Sequence, residues 1–231
     1  FSKAKGSTTL VVGNTTETTN IIGGDGGNST TTTGGDGGAG IYLYGETPIQ
    51  KNGNPNIVGG NGGNGKEGSN GNDGIPVLRE FSASSITANS YNGTYDGYAH
   101  GISVSAPSDA KVTYSLTEDG EYTTTNPTET NVTNGAVTVY YKVEKEGYVP
   151  VKGSATITIT SKAVSGVSVY FESSSLGYTG EEVEVQIDYI YANSGYLVEN
   201  QDYVILSGKK GTNIGTYSLV IEGRGNYSGT K

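Results

Sequence analysis

Residues 56–64 read Asn-Ile-Val-Gly-Gly-Asn-Gly-Gly-Asn, and they repeat residues 20–28, Asn-Ile-Ile-Gly-Gly-Asp-Gly-Gly-Asn, 36 positions later in the chain. From Gly59 to Gly74, glycine recurs at every third position. A three-residue period is that of the polyproline II helix, an extended left-handed conformation that rises about 3.1 Å per residue. Because such spacing leaves one side of the helix bare, neighbouring extended segments can approach closely and exchange backbone hydrogen bonds.

Three interpretations stay open for residues 20–75. The first is a packed bundle or solenoid of extended segments, and the second is a flexible linker, because Gly, Asn, Thr and Ser bury little surface. The third is a set of calcium-binding nonapeptide repeats, Gly-Gly-x-Gly-x-Asp-x-apolar-x. Residues 68–76 supply the aspartate, Asp73, but lack the second glycine of that motif. Calcium takes about six to eight oxygen ligands, whereas each motif supplies one Asp at most, which argues against a calcium site. Asp73 is the one metal candidate, and no cofactor is expected.

The composition changes sharply near residue 80. Residues 1–80 hold 21 of the 38 glycines but 2 of the 18 tyrosines. With 32% hydrophobic residues overall, the chain cannot fill one large core, and we expect several thin cores in which Tyr and Val do most of the packing. The predicted domains are a Gly-rich repeat module at 1–80 and two further domains at 81–163 and 164–231.

Residues 81–231 alternate apolar and polar side chains, which is typical of half-buried strands in antiparallel sandwiches. Strands are predicted at 102–104, 111–116, 136–143, 155–160, 167–172, 183–191, 203–207 and 216–222. The triplets Tyr95-Asp96-Gly97 and Tyr178-Thr179-Gly180 indicate a tandem repeat of about 83 residues. The predicted fold class is therefore all-β: two tandem antiparallel sandwiches preceded by a Gly-rich module of extended, polyproline II-like segments and short strands.

Several motifs of residues 81–231 occur in the order found in a known family. They include Tyr95-Asp96-Gly97, Val139–Val143, Gly147-Tyr148, Gly153–Ile159, Thr212–Tyr217 and Gly223–Gly229. This stretch resembles the bacterial Ig-like repeats of large cell-surface and adhesin proteins, and similar modules occur in bacteriophage fibres. The resemblance implies an extracellular stalk of Ig-like modules, on a bacterial surface, secreted, or in a virion. It also implies that 164–231 lacks its last strand, through truncation or because a partner chain supplies that strand.

Charge and residue content exclude some functions. The 23 acidic and 14 basic residues give a net charge of -9, spread along the chain, and this disfavours nucleic acid as a partner. No apolar run approaches the roughly 20 residues of a membrane-spanning helix. His100 is the one histidine, and without a motif for a nucleophile beside it we expect no enzyme.

The predicted function is that of a non-catalytic extracellular surface or adhesin-type protein. In it the Ig-like domains act as a spacer, and the Gly-rich module is an interaction or assembly surface. One alternative is a subunit of an extracellular filament or phage fibre completed by strand exchange. Another is a carbohydrate-binding appendage of a larger enzyme.

The expected partners are a further copy of the chain, bound through the Gly-rich module or an open sandwich edge, or else surface proteins or glycans. Exposed carboxylates of the glycine repeats and tyrosines near strand ends and loops are the candidate contact residues. They are Asp25, Asp36, Tyr42, Tyr44, Tyr91, Tyr95 and Tyr98.

Overall fold

The computed structural model describes residues 10–13, 20–44, 49–51 and 55–231. The described residues form 23 short strands in ten small sheets, with two 3-10 turns at Lys66–Gly68 and Val164–Gly166 and no α-helix. This confirms the all-β prediction. Among these residues, no helix has the length and apolar character needed to cross a membrane.

Contacts divide the chain into two units. The first comprises the chain up to residue 87 together with 104–113 and 141–153. The second comprises 88–103, 114–140 and 154–231.

Six strands of the first unit lie in the Gly-rich part. They are β1 (Leu10–Val12), β2 (Asn20–Ile22), β3 (Ile41–Tyr44), β4 (Ile49–Lys51), β5 (Asn56–Val58) and β6 (Val77–Glu80). They pair in parallel, β1 with β4, β2 with β5 and β3 with β6. Asn20 lies opposite Asn56 and Ile41 opposite Val77, so equivalent residues of the 36-residue repeat are neighbours. We call residues 20–44 the first coil and residues 56–80 the second coil.

A small apolar core holds the strand ends of the two coils together. Val12, Ile41 and Leu43 are buried. Partly buried side chains pack around them: Leu10, Ile21, Ile49, Ile57 and Val77. The apolar clusters at 10–12, 41–44 and 57–58 therefore lie in short strands and contribute to a hydrophobic layer.

Beyond the coils, β6 continues into contacts with residues 141–153. The N–H of Arg79 donates to the carbonyl of Gly147 at 2.9 Å, and its carbonyl accepts from the N–H of Val149 at 2.8 Å. The ring of Phe81 lies 4.9 Å from that of Tyr148. These backbone and ring contacts attach residues 141–153 to the end of β6 within the first unit.

Eight strands occupy residues 87–160. They are β7 (Thr87–Asn89), β8 (Tyr91–Thr94), β9 (His100–Gly101), β10 (Ser103–Ser105), β11 (Lys111–Ser115), β12 (Thr128–Glu129), β13 (Val137–Glu144) and β14 (Val151–Thr160). The largest sheet has the order β11-β13-β14-β8. In the C-terminal half of β14 every second residue is buried, at Ala155, Ile157 and Ile159, as the alternation predicts.

Nine strands follow. They are β15 (Lys162–Ala163), β16 (Ser168–Phe171), β17 (Val183–Glu184), β18 (Ile187–Ala192), β19 (Gly195–Tyr196), β20 (Tyr203–Ser207), β21 (Lys210–Gly211), β22 (Val220–Gly223) and β23 (Tyr227–Ser228). They form the sheets β16-β18-β19, β20-β22, β15-β23 and β17-β21. Their core consists of Val164, Val167, Ile190, Ala192, Leu197, Tyr203, Ile221 and Tyr227.

Three details differ from the predicted strands. Of the strand predicted over 216–222, residues 216–219 lie outside β22, which covers Val220–Gly223. The strand predicted over 183–191 is two strands, β17 and β18, which pair with different partners. Two pairings, β8 with β14 and β15 with β23, are parallel rather than antiparallel. Alternation of apolar residues decides which face of a strand is buried but not the direction of its neighbour. The Ig-like sandwich arrangement stays a prediction.

Several glycines between strands adopt a left-handed backbone conformation. Gly97, Gly135, Gly147 and Gly180 all have positive φ, between 76° and 88°. That conformation favours glycine because it has no Cβ. The Tyr-x-Gly triplets at 95–97 and 178–180 thus both end in a left-handed glycine.

Candidate interaction surfaces

The Gly-rich module is built from four extended segments. Residues 23–29 (segment a) and 34–40 (segment b) belong to the first coil, and residues 58–65 (segment c) and 69–76 (segment d) to the second. Backbone N–H groups of a donate to carbonyls of c: Gly23 to Val58, Gly26 to Asn61 and Ser29 to Asn64, at 3.0, 2.7 and 2.8 Å. Segments b and d are joined likewise: Gly34 to Ser69, Gly37 to Asn72 and Gly40 to Ile75, at 2.9, 2.8 and 3.1 Å.

Backbone hydrogen bonds between antiparallel segments complete the arrangement, again at every third residue. Within the coils they run from Gly35 to Gly27, Gly38 to Gly24, Gly71 to Gly63 and Gly74 to Gly60, at 2.8, 2.6, 2.9 and 2.7 Å. Between the coils they run from Gly63 to Gly35 and from Gly60 to Gly38, both at 2.8 Å. This pattern is the one that the packed interpretation of 20–75 predicts, and a flexible linker does not produce it.

Glycine is required where the segments touch. A methyl group at any of six positions would lie 1.8–1.9 Å from a backbone carbonyl oxygen of the adjacent segment: Gly23, Gly26, Gly34, Gly37, Gly59 and Gly62. Backbone atoms cannot rotate away from such a contact. The three-residue period therefore has a steric cause, the close approach of neighbouring backbones.

The aspartates predicted as contact residues hold the coils together. Oδ1 of Asp25 accepts the N–H of Asn61, and Oδ1 of Asp36 accepts the N–H of Asn72, both at 2.7 Å. Asn28 bonds Asn64 in the same manner at 2.7 Å. Each of these bonds spans the 36-residue repeat. The sequence did not indicate this role, because it depends on how one coil stacks on the other.

Asp73 has a similar structural contact. Its Oδ1 accepts the N–H of Gly62 at 2.8 Å. Within the part of the chain that the structure describes, no three or more His, Cys, Asp or Glu side chains are grouped so that they could hold a metal ion.

Two predicted tyrosines lie on β3. The hydroxyl of Tyr42, which is partly exposed, donates to Oε1 of Glu80 at 2.6 Å. The backbone of Tyr44 is paired with Glu80, and its side chain lies outside the described part of the chain. Tyr42 thus links the two coils at their strand ends.

The three tyrosines at 91–98 have different surroundings. Tyr91 stacks on His100, with ring centroids 3.9 Å apart, whereas Tyr95 meets Tyr227 edge-on at 5.6 Å. Tyr98 is 73% exposed. The three predicted contact tyrosines therefore have different neighbours.

His100 is bound to a carboxylate. Its Nε2 lies 3.0 and 3.1 Å from the two carboxyl oxygens of Asp96. This hydrogen bond, assisted by the N–H of Tyr98, lowers the pKa of Asp96. The Asp96–His100 pair thus links the two ends of the segment that leads into β9.

A cluster of exposed tyrosines was missed by sequence reasoning. It consists of Tyr170 on β16, Tyr189 and Tyr191 on β18, and Tyr196 on β19, and we call it the tyrosine cluster. Tyr170 and Tyr189 stack at 4.4 Å, and Tyr196 lies edge-on to Tyr189 and to Tyr191, both at 5.4 Å. Desolvation, reinforced by Tyr170 and Asp188, raises the pKa of Tyr189.

Part of the tyrosine cluster could have been recognised from the sequence. Tyr189 and Tyr191 are two residues apart and therefore share one face of a strand. Their partners come from other strands, Tyr170 opposite Tyr189 and Tyr196 opposite Tyr191. That register cannot be read from spacing alone.

A charged cluster lies near an open groove in the second unit. Nζ of Lys209 is 2.9 Å from Glu184, and Nζ of Lys210 is 3.5 Å from Glu184 and 3.2 Å from Glu182. The groove, about 670 Å³, lies between the 174–181 and 208–217 loops. Hydrogen bonding to Lys209 lowers the pKa of Glu184, and the carboxylates raise the pKa of Lys209 and of Lys210.

This cluster predicts a pH-dependent stability. The contribution of Glu184 is present above its ordinary pKa near 4.5 and is lost as the pH falls through the lowered value. That of Lys209 is present below its ordinary pKa of 10.5 and is lost as the pH rises through the raised value. Glu184→Gln should lower the melting temperature between about pH 5 and pH 10 and flatten both limbs of its pH profile.

Carboxyl NMR titration and melting curves across pH test this prediction. Glu181→Gln, a neighbouring carboxylate that makes none of these contacts, is the matched control and should leave the profile unchanged. A Glu184 titration midpoint at the ordinary value for glutamate would show that the pairing with Lys209 does not exist in solution.

No protein-family model matches the chain, and no curated protein sequence matches it significantly. Its function has to be inferred from the contacts described above.

Proposed function

We propose that the chain is a non-catalytic, extracellular surface protein of the adhesin type, from a bacterial surface or secreted. In this proposal residues 81–163 and 164–231 are Ig-like modules that act as a spacer. The Gly-rich module at 1–80 is the surface that binds a partner or directs assembly. The observation that carries the proposal is the packing of segments a to d.

That packing supports an interaction role because it makes a rigid surface from residues that rarely form one. Segments a to d are joined by backbone hydrogen bonds at every third residue, with a core of a few aliphatic side chains at the strand ends. A preorganised surface loses little conformational entropy when it binds. The described polar side chains Asp25, Asp36 and Asp73 are bonded to backbone N–H groups, which favours a structural over a catalytic role.

The spacer role is supported by the second unit. Its residues form short strands around the core that includes Ile190 and Ile221. The period-two burial of β14 and the Tyr-x-Gly turns at 95–97 and 178–180 accord with the Ig-like resemblance. A chain of small β-domains of this kind holds a binding module away from the surface that carries it.

An adhesion assay tests the proposal. Beads coated with the whole chain are applied to mammalian cell layers, bacterial cells and glycan-coated surfaces under flow. We expect attachment to at least one surface, and we expect it to be lost with Gly26→Ala plus Gly62→Ala, which disrupt the packing. It should be kept with Gly166→Ala, a substitution in the second unit whose methyl group would meet nothing within 4 Å. Attachment no better than that of albumin-coated beads, or unchanged by the double substitution, would exclude the Gly-rich module as the interaction surface.

The tyrosine cluster favours a second candidate, carbohydrate binding. Tyrosine rings offer apolar faces with a polar hydroxyl, a combination suited to sugar rings. Tyr196 is 69% exposed and accessible for such stacking. Titration with glycans, followed by NMR, should then shift the signals of the cluster, and Tyr196→Ala should abolish the shifts. Tyr98→Ala, exposed but outside the cluster, is the control, and equal effects of the two substitutions would count against this candidate.

A further inference from the structure

The first coil presents a backbone edge that is equivalent to one the second coil already uses. In the second coil, the N–H groups of Gly60, Asn61, Gly63 and Asn64 all donate to the first coil. Their equivalents, 36 residues earlier, are Gly24, Asp25, Gly27 and Asn28. Among the described residues, the N–H groups of these four have no hydrogen-bond partner. We call the edge formed by residues 24–28 and 35–38 the open edge.

The carbonyl groups of the open edge follow the same pattern. The carbonyls of Asn61 and Asn64 accept N–H groups from the first coil. The equivalent carbonyls of Asp25 and Asn28 accept none from the residues that the structure describes. The N–H and carbonyl groups of the open edge therefore follow the same order as the groups by which the second coil binds the first.

Steric contacts also indicate that the open edge is suited to bind a further coil. A methyl group at four glycines of the second coil would lie 2.1–2.2 Å from a carbonyl oxygen of the first coil: Gly60, Gly63, Gly71 and Gly74. At Gly24 and Gly27, the equivalents of Gly60 and Gly63, a methyl group would meet nothing within 4 Å. Since glycine costs conformational entropy on folding, these two positions need a reason to be glycine. A further coil packed on the open edge would supply it.

The opposite edge, on the second coil, is closed by side chains. Oδ1 of Asp73 accepts the N–H of Gly62 at 2.8 Å, and Oδ1 of Asn70 accepts that of Gly65 at 3.2 Å. The first-coil equivalents of those N–H groups, in Gly26 and Ser29, donate to the second coil. Two of the donors that a further coil would need are thus already occupied.

Shape closes this edge as well. Asn70 and Asp73 stand at the positions equivalent to Gly34 and Gly37, where a methyl group would lie 1.9 Å from a carbonyl oxygen of the adjacent coil. Pro76 is the equivalent of Gly40, whose N–H donates to Ile75, and proline has no N–H to donate. Protection of this kind is a common means of preventing edge-to-edge association.

We propose that the open edge binds a Gly-rich coil of a partner protein, which continues the stack of coils at the same three-residue spacing. The partner coil must donate N–H groups, and it must carry glycine where this chain has Asn70 and Asp73 and no proline at the equivalent of Pro76. A second copy of this chain does not meet these conditions, because its corresponding edge is the closed one. The inference rests on the proposed function, since it specifies the partner of that interaction surface.

A donor version of the chain tests the proposal without knowledge of the natural partner. Asn70→Gly, Asp73→Gly and Pro76→Gly open the closed edge, and Gly24→Val with Gly27→Val block the open edge, so this donor chain cannot stack on itself. Sedimentation velocity of the donor chain mixed with the unmodified chain should show a 1:1 complex, whereas each alone stays monomeric. The unmodified chain carrying Gly24→Val and Gly27→Val should bind the donor at least about tenfold more weakly.

Three results would overturn the proposal. They are no complex with the donor chain, equal binding by the valine variant, and self-association of the unmodified chain that the valine substitutions abolish. The last would identify a second copy as the occupant. If no complex forms while bead attachment still requires the packed module, the proposed function stands and only the class of partner is wrong.

A second variant keeps the test decisive if the donor chain does not fold, as judged by hydrogen exchange at Gly23 and Gly37. An additional copy of residues 20–55 is inserted ahead of residue 20 of the whole chain, which places a third coil next to the open edge. Exchange of the Gly24 and Gly27 amides of the original first coil should slow by at least about tenfold. Unchanged exchange at both would contradict the proposal.

Discussion

Gly26→Ala is expected to destabilise the Gly-rich module by about 3 kcal/mol, whereas Gly27→Ala, one residue further on, is expected to be neutral or slightly stabilising. The new methyl group at 26 would lie 1.8 Å from the carbonyl oxygen of Gly35 and 2.8 Å from the nitrogen of Gly63. Because both are backbone atoms in different segments, segment a must move away from its two neighbours. The bond from the N–H of Gly26 to Asn61 is then lost as well.

Gly27→Ala is the control, and its expected effect on stability is neutral or slightly favourable. A methyl group at 27 would meet nothing within 4 Å, and alanine reduces the entropy of the unfolded chain by about 0.4–1 kcal/mol relative to glycine. Amide exchange at Gly35 and Gly63 measures the local free energy of opening in both variants. Equal protection in the two variants would mean that the segments are not in contact at this position.

Ile190→Ala is expected to destabilise the second unit by about 2–5 kcal/mol. Ile190 is 1% exposed and lies in the core with Val164, Tyr203 and Ile221. Truncation removes buried apolar surface and leaves a cavity that well-packed neighbours cannot fill completely. Urea denaturation followed by NMR signals of β18 and β22 measures the loss.

Ile214→Ala is the matched control, since Ile214 is 85% exposed and its truncation should change stability by no more than about 0.5 kcal/mol. Similar losses for the two isoleucines would refute the assigned core.

Much of the fold could be predicted from the sequence because its patterns are short-range. The strand expected at 203–207 is β20, with the same bounds, and the 36-residue repeat is the register of β2 on β5. The strand Tyr91–Thr94 was missed, since Asn92-Gly93 has low strand propensity. Its pairing with β14, a long-range contact, outweighs that local preference.

The candidate surfaces were less accessible to sequence reasoning. An aspartate between glycines, such as Asp25, is expected to be a free surface charge. Its bond to the N–H of Asn61 exists because the coils stack in parallel. The tyrosine cluster likewise depends on cross-strand register, as do the caps at Asn70 and Asp73. In each case the sequence showed the chemistry of the side chain but not which residue lies beside it in the fold.

Amide hydrogen exchange at single-residue resolution across residues 20–44 and 56–75 tests most directly whether the Gly-rich module is a packed bundle with one open edge. The structure predicts slow exchange at Gly23, Gly26, Gly34, Gly37, Gly60, Gly63, Gly71 and Gly74, whose N–H groups are bonded to neighbouring segments. It predicts fast exchange at Gly24 and Gly27 on the open edge. Uniformly fast exchange, as in an unstructured chain, would contradict the packed bundle and the interaction surface inferred from it.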